Sequence, residues 1–122
     1  MERRERERII DELGHAFGAA TDVTPRPSQP LHVLIPKLEL PAPWQPSPTR
    51  ALTTWEDWPA QRPLFLIDPA VAGESGSRPR SHNLVYQLGE PWLACSLAFS
   101  WGGRDSVRAV QLWMTRFVAE KS

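Results

Sequence analysis

Apolar residues recur along the first nineteen positions at helical spacing. Ile9, Ile10, Leu13 and Phe17 fall on one face, with Glu and Arg filling the rest, and this predicts an amphipathic helix over residues 2–19. Gly14 and Gly18 weaken its C-terminal half, and Glu2–Arg6 is a favourable pair four residues apart. The period then changes. Residues 21–30 read as a proline-rich linker. Leu31, Val33 and Ile35 alternate, predicting a strand over Leu31–Leu40 with Pro36 at a bulge or edge. Residues 41–48 form an extended connection that tucks Trp44 against the core. Arg50–Trp55 is a second short strand. Pro63–Asp68 contains the continuous apolar run Leu-Phe-Leu-Ile and reads as a central strand. A Gly/Ser/Arg/Pro loop over Pro69–Ser81 follows. Two short extended stretches, Leu84–Leu88 and Leu93–Leu97, flank a Gly89-Glu90-Pro91 turn. After Trp101-Gly102-Gly103, Asp105 or Ser106 is placed to cap a helix over Ser106–Ala119, whose apolar face is Val107, Val110, Trp113 or Met114, Phe117 and Val118.

Composition sharpens this outline. All thirteen prolines lie between Pro25 and Pro91, which excludes long helices there and favours short strands and turns. Six tryptophans supply large, stiff burial units. Helical ends around a strand-like middle predict an α+β fold, and 122 residues suffice for one domain with its own core.

Charge and cysteine use narrow the function. Fourteen Lys+Arg balance fourteen Asp+Glu, so net charge recruits neither nucleic acid nor an anionic membrane. Arg78-Pro79-Arg80 is read as a pair of solvated charges, and the tryptophans as core and turn anchors rather than a base-stacking surface. One cysteine makes no internal disulfide. With His15, His32 and His82 dispersed, the chain is a poor metal site, and neither a metal nor an organic cofactor is expected. No hydrophobic leader or membrane-length run is visible, and a reducing cytoplasm is the expected location.

The candidate chemistry centres on Cys95, within Trp92-Leu93-Ala94-Cys95-Ser96-Leu97 and twelve residues beyond Asn83. An inert buried thiol is the plain alternative. Several features stand around it in order: Trp58-Pro59-Ala60-Gln61-Arg62-Pro63, the apolar run to Ile67, His82-Asn83, Gly89, Cys95-Ser96-Leu97, Trp101 and the last helix. Over residues 55–118 this ordered set resembles the active-site half of the E2 ubiquitin-conjugating family. The first turn resembles Tyr-Pro-x-x-x-Pro. His82-Asn83 is similar to His-Pro-Asn without the proline, and Cys95-Ser96-Leu97 is similar to Cys-Leu with Ser96 inserted. The longer Asn83–Cys95 gap, the short front sheet and the lack of sequence for further C-terminal helices look like the compact E2-like proteins of bacterial ubiquitin-like conjugation operons.

That resemblance implies a UBC-like fold: an N-terminal helix, a short antiparallel β-meander, an active-site loop carrying Cys95 and a C-terminal crossover helix. It also implies a transferase that takes a ubiquitin-like modifier from an E1 as a thioester on Cys95 and passes it to a target amine. Asn83 would donate to the oxyanion or brace the loop, His82 would hold the loop, and Arg3, Arg4 and Arg8 of the first helix would meet the E1. The implied partners are an E1-like activating enzyme, the modifier and a JAB-type peptidase of the same system, with antiphage defence as the setting. Two other readings remain. One is a catalytically silent E2-like or RWD-like scaffold in which Cys95 is packing. The other is a small hydrolase with a His82/Cys95 dyad, for which no local signature surrounds the cysteine.

Overall fold

The computed structural model describes residues 1–79, 82–95 and 97–118. Helix α1 (Arg3–Phe17) leads into strands β1 (Thr21–Asp22), β2 (Leu31–Leu38), β3 (Thr49–Trp55) and β4 (Leu64–Ile67). A 3-10 turn at Glu74–Gly76, strands β5 (Asn83–Gln87) and β6 (Glu90–Ala94), and helix α2 (Ser106–Val118) follow. The fold is α+β. All strands join one antiparallel sheet in the order β1-β2-β3-β4-β6-β5. After β4 the chain therefore travels to the outer edge, lays down β5, and returns as β6 beside β4.

Period-two alternation sorts the sheet's side chains into two clusters. Leu31, Val33, Ile35, Trp55, Phe65, Ile67, Leu93 and Cys95 join Ile9 and Leu13 of α1 and Val110, Trp113 and Phe117 of α2 in the main core. Leu52, Leu66, Trp92 and Ala94 form a smaller cluster, with Val23, Leu34 and Val85 packed around it. Of the helix faces expected from spacing, Ile9, Leu13, Val110, Trp113 and Phe117 are buried and Ile10, Phe17, Val107 and Met114 lie at the margin, while the Val118 side chain lies outside the described residues.

Local chemistry explains where the elements stop. Helix α1 ends at Gly18, whose φ of 88° suits a residue without a Cβ. Helix α2 starts where Asp105 Oδ1 accepts the Arg108 N–H at 3.0 Å, the expected cap. Ser106, the other capping candidate, instead donates to Glu12 Oε1 at 2.7 Å and ties the two helices together. Stacked rings run through the core: Phe65 on Trp113 at 4.7 Å, Trp113 on Phe117 at 5.0 Å, and Phe117 against Trp44 at 4.7 Å. Trp44 is buried as expected, and Gly73 admits it, since a Cβ at that glycine would lie 3.1 Å from the indole ring.

Several boundaries differ from expectation. Thr21–Asp22, read as linker, is a short strand on the β2 edge, paired through Thr21↔Leu34 and Asp22↔Val33. Strand β2 stops at Leu38 rather than Leu40, and the register shift between Ile35 and Leu38 confirms a bulge around Pro36. The last hairpin is tighter than the expected Gly89-Glu90-Pro91 turn. Its loop is Leu88-Gly89, with φ of 56° and 74°, so β6 starts at Glu90 and ends before Cys95. Cys95 thus continues directly from a sheet strand, its N–H donating to the Phe65 carbonyl at 3.1 Å. The sheet is also larger than a short meander, because this hairpin joins it out of sequence order. Within α1 the ion pairs are Arg3–Glu7, Arg8–Glu5 and Arg8–Glu12, while the Arg6 guanidinium donates to the Gln29 carbonyl. Ala119, the last residue of the expected final helix, lies outside the described residues.

Candidate functional site

Cys95 lies where β6 meets the main core, 2 % exposed. Its backbone is held from two sides. The N–H reaches β4, and its carbonyl accepts the Trp113 indole N–H of α2 at 3.3 Å. Strand pairing and helix docking together therefore fix the position of the thiol-bearing residue.

A groove of about 500 Å³ opens over this point. Cys95, Phe65 and Trp113 line it together with Leu97, Phe99 and Trp101, and Thr54, Glu56 and Arg62 add polar groups. The turn Trp58–Pro63 borders the groove and is pinned to the segment after Cys95, because the Trp101 indole donates to the Pro59 carbonyl at 3.1 Å. Trp58 and Trp101 add a ring contact at 6.3 Å, and Phe99 bridges Phe65 and Trp101. The proline-flanked turn therefore borders the same groove as the cysteine and the following tryptophan, which lie more than thirty residues further along the chain.

The other proposed residues are placed unevenly. Asn83 opens β5 directly across from Ala94, one residue before the cysteine, and its side chain is exposed. His82 is exposed, and its Nδ1–H donates to the Pro79 carbonyl within its own loop. A hydrolase dyad would need this ring turned toward a thiol that the structure buries in the core. On α1, Arg3 and Arg4 are exposed, Arg3 pairing with Glu7 at 3.0 Å. Arg8 differs: it pairs with Glu5 and Glu12 and donates to the Arg104 carbonyl at 3.0 Å, joining α1 to the loop before α2. The Arg8 hydrogen bond holds the Glu5 carboxyl below its usual range despite some desolvation, and Glu5 in turn raises Arg8. Arg78 donates to the Pro69 carbonyl, and Arg80 lies outside the described residues, as does Ser96.

One structural hub was not visible in the sequence. The Arg50 guanidinium reaches Asp68 Oδ2 at 2.9 Å, Glu90 Oε2 at 3.0 Å and the Pro91 carbonyl at 3.3 Å, and it lies 4.0 Å over the Trp92 ring. It clamps β3 to β6, the strand that leads into Cys95. A lone arginine at the head of a predicted strand gives no local sign of such a role, since its partners lie 18 and 40 residues away.

Among the described residues no group of three His, Cys, Asp or Glu side chains is arranged to hold a metal ion, and no helix is long and apolar enough to cross a membrane. No protein-family model, curated protein or solved structure matches the chain.

Proposed function

We propose that the chain is an E2-like carrier of UBC type, accepting a ubiquitin-like modifier on Cys95 and passing it to an amine. The observation that supports this most is the convergence at the groove. Cys95 lines it between the Trp58–Pro63 turn and Trp101.

The chemistry requires two acyl transfers. The Cys95 thiolate attacks the carbonyl carbon of the E1-bound thioester, a new S–C bond forms, and the E1 thiolate leaves and takes up a proton. A target amine then attacks the Cys95 thioester, loses its proton to a base in the transfer complex, and Cys95 departs as the thiolate. Both steps pass through a tetrahedral oxyanion. In this reading Asn83, which shares a sheet face with Ala94 rather than with Cys95, braces the hairpin that leads into the cysteine. At 2 % exposure the thiol meets an extended modifier tail lying along the groove rather than a group arriving from open solvent. His82 steadies the approach loop through Pro79, and the exposed Arg3 and Arg4 face of α1 meets the E1-like enzyme. The setting that goes with this reading is a cytoplasmic bacterial conjugation operon with a JAB-type peptidase and a role in antiphage defence.

A second reading is favoured by the same burial: an RWD-like scaffold in which Cys95 is a packing residue beneath Trp113. One experiment separates the two. The protein is mixed with a cognate E1, modifier and ATP and run on gels with and without reductant. In parallel, native thiol labelling by a small maleimide is compared with labelling in denaturant. A reductant-sensitive adduct abolished by Cys95→Ala supports the carrier. No adduct beside an active E1, with labelling only in denaturant, assigns the scaffold.

A further inference from the structure

The outer edge of the sheet is unlike the rest of the surface. Strand β5 ends the strand order, and on it Leu84 and Tyr86 are 57 % and 71 % exposed, with Leu88 beyond them at 39 %. Natural edge strands are commonly blunted by charge, proline, bulges or shortness. The opposite edge, β1, has two residues and runs into Pro25 and Pro27. Strand β5 spans five residues, Asn83-Leu84-Val85-Tyr86-Gln87, with no charge and no proline.

The hairpin fixes which backbone groups of this edge point outward. With a two-residue loop, Gln87 and Glu90 close the hairpin as a hydrogen-bonded pair. Antiparallel pairs alternate, so Val85 and Asn83 also bond to β6, while Leu84 and Tyr86 turn their N–H and C=O groups away from it.

We propose that β5 pairs antiparallel with β5 of a second copy about a two-fold axis at Val85, joining two six-stranded sheets into one. The strand's chemistry is palindromic: polar, apolar, valine, apolar, polar. About this axis Leu84 stands opposite Tyr86 of the second copy, and Tyr86 opposite its Leu84. Their outward backbone groups make four hydrogen bonds. Asn83 meets Gln87 of the second copy, amide against amide, and no like charges face each other. On one face the two valines join the clusters built on Leu52, Leu66 and Trp92. On the other, Leu84 and Tyr86 cover each other across the seam. A single strand pair is a small contact, so the dimer forms in the micromolar range. The pairing is independent of the acyl chemistry proposed for Cys95.

Sedimentation of the whole chain from about 1 to about 300 µM brackets the range expected for so small an interface. Wild type should pass from monomer to dimer, and Leu84→Lys/Tyr86→Lys should stay monomeric with an unchanged circular dichroism spectrum. The register is read by Val85→Cys in a Cys95→Ala background. The axial pair has Cα atoms about 4.5 Å apart, within disulfide reach, so mild oxidation should give a covalent dimer. A wild type that remains monomeric at the highest concentration overturns the proposal, including one whose β5 instead takes up a strand of the modifier. So does a dimer that survives the lysine pair, or a Val85→Cys variant that does not cross-link.

Discussion

At the scale of single residues, burial sets what Cys95 and Asp68 do. Cys95 is buried in the main core, where a hydroxyl costs more to desolvate than a thiol. Cys95→Ser is expected to lower stability by about 1–3 kcal/mol in urea titration, whereas Cys95→Ala keeps the fold and serves as the charging-dead variant. If Cys95→Ala charges like wild type, the carrier reading fails. Asp68 is pulled in two directions. Partial burial pushes its carboxyl up, but the Ala70 N–H and the Arg50 guanidinium outweigh that and hold it below the ordinary value of 3.8. A depressed carboxylate contributes stability that is present above the unfolded value and lost as pH falls through the folded one. Acid unfolding of wild type should therefore steepen below about pH 4, and Asp68→Asn should flatten that limb while lowering stability near neutrality. Equal acid profiles for the two proteins would remove Asp68 from the account.

At the scale of elements, helix α2 holds the groove together. Trp113 stacks on Phe65 and Phe117, is fully buried, and donates to the Cys95 carbonyl. Trp113→Ala is expected to cost about 3–5 kcal/mol, while Trp113→Phe keeps most of the stacking and loses the hydrogen bond. Under the carrier reading Trp113→Phe, with its circular dichroism spectrum retained, also lowers the rate of charging on Cys95, a readout that a purely packing role does not have. Helix α1 divides into two faces. Ile9 and Leu13 go to the sheet, and Arg8 is committed to Glu5, Glu12 and the Arg104 carbonyl.

At the scale of the whole molecule, that division makes Arg3 and Arg4 the informative residues for a partner. Arg3→Glu/Arg4→Glu leaves the internal ties of α1 largely intact, since the one pair it breaks, Arg3–Glu7, is exposed to solvent and of the kind that contributes little. Under the carrier reading the charging rate with an E1 should fall about tenfold or more, with the melting temperature unchanged and the loss deepening with salt. Arg8→Glu should instead lower the melting temperature, because its partners belong to this chain. An undiminished rate in the double variant would take the E1 contact away from α1.

Spacing and composition alone determined much of this protein. The amphipathic faces of both helices, the alternation of Leu31, Val33 and Ile35, the central Leu-Phe-Leu-Ile strand, the Asp105 cap and the burial of Trp44 are local patterns. A period or a nearest-neighbour hydrogen bond decides them, so they are legible in a linear string. Tertiary structure decided the rest, because it depends on residues far apart in the chain. Thr21–Asp22 is a strand only because β2 offers it an edge. The β5–β6 hairpin reaches the sheet out of order, and its tight Leu88-Gly89 loop shifts β6 so that Cys95 follows it directly. Arg50 becomes a clamp only when β3, Asp68 and Glu90 converge. Among the candidate site residues, sequence order marked Cys95 and the turn and tryptophan that border its groove. The pairing of Asn83 with Ala94, the commitment of Arg8 within its own fold and the uncovered edge of β5 arise from strand register and helix packing, which no local pattern encodes.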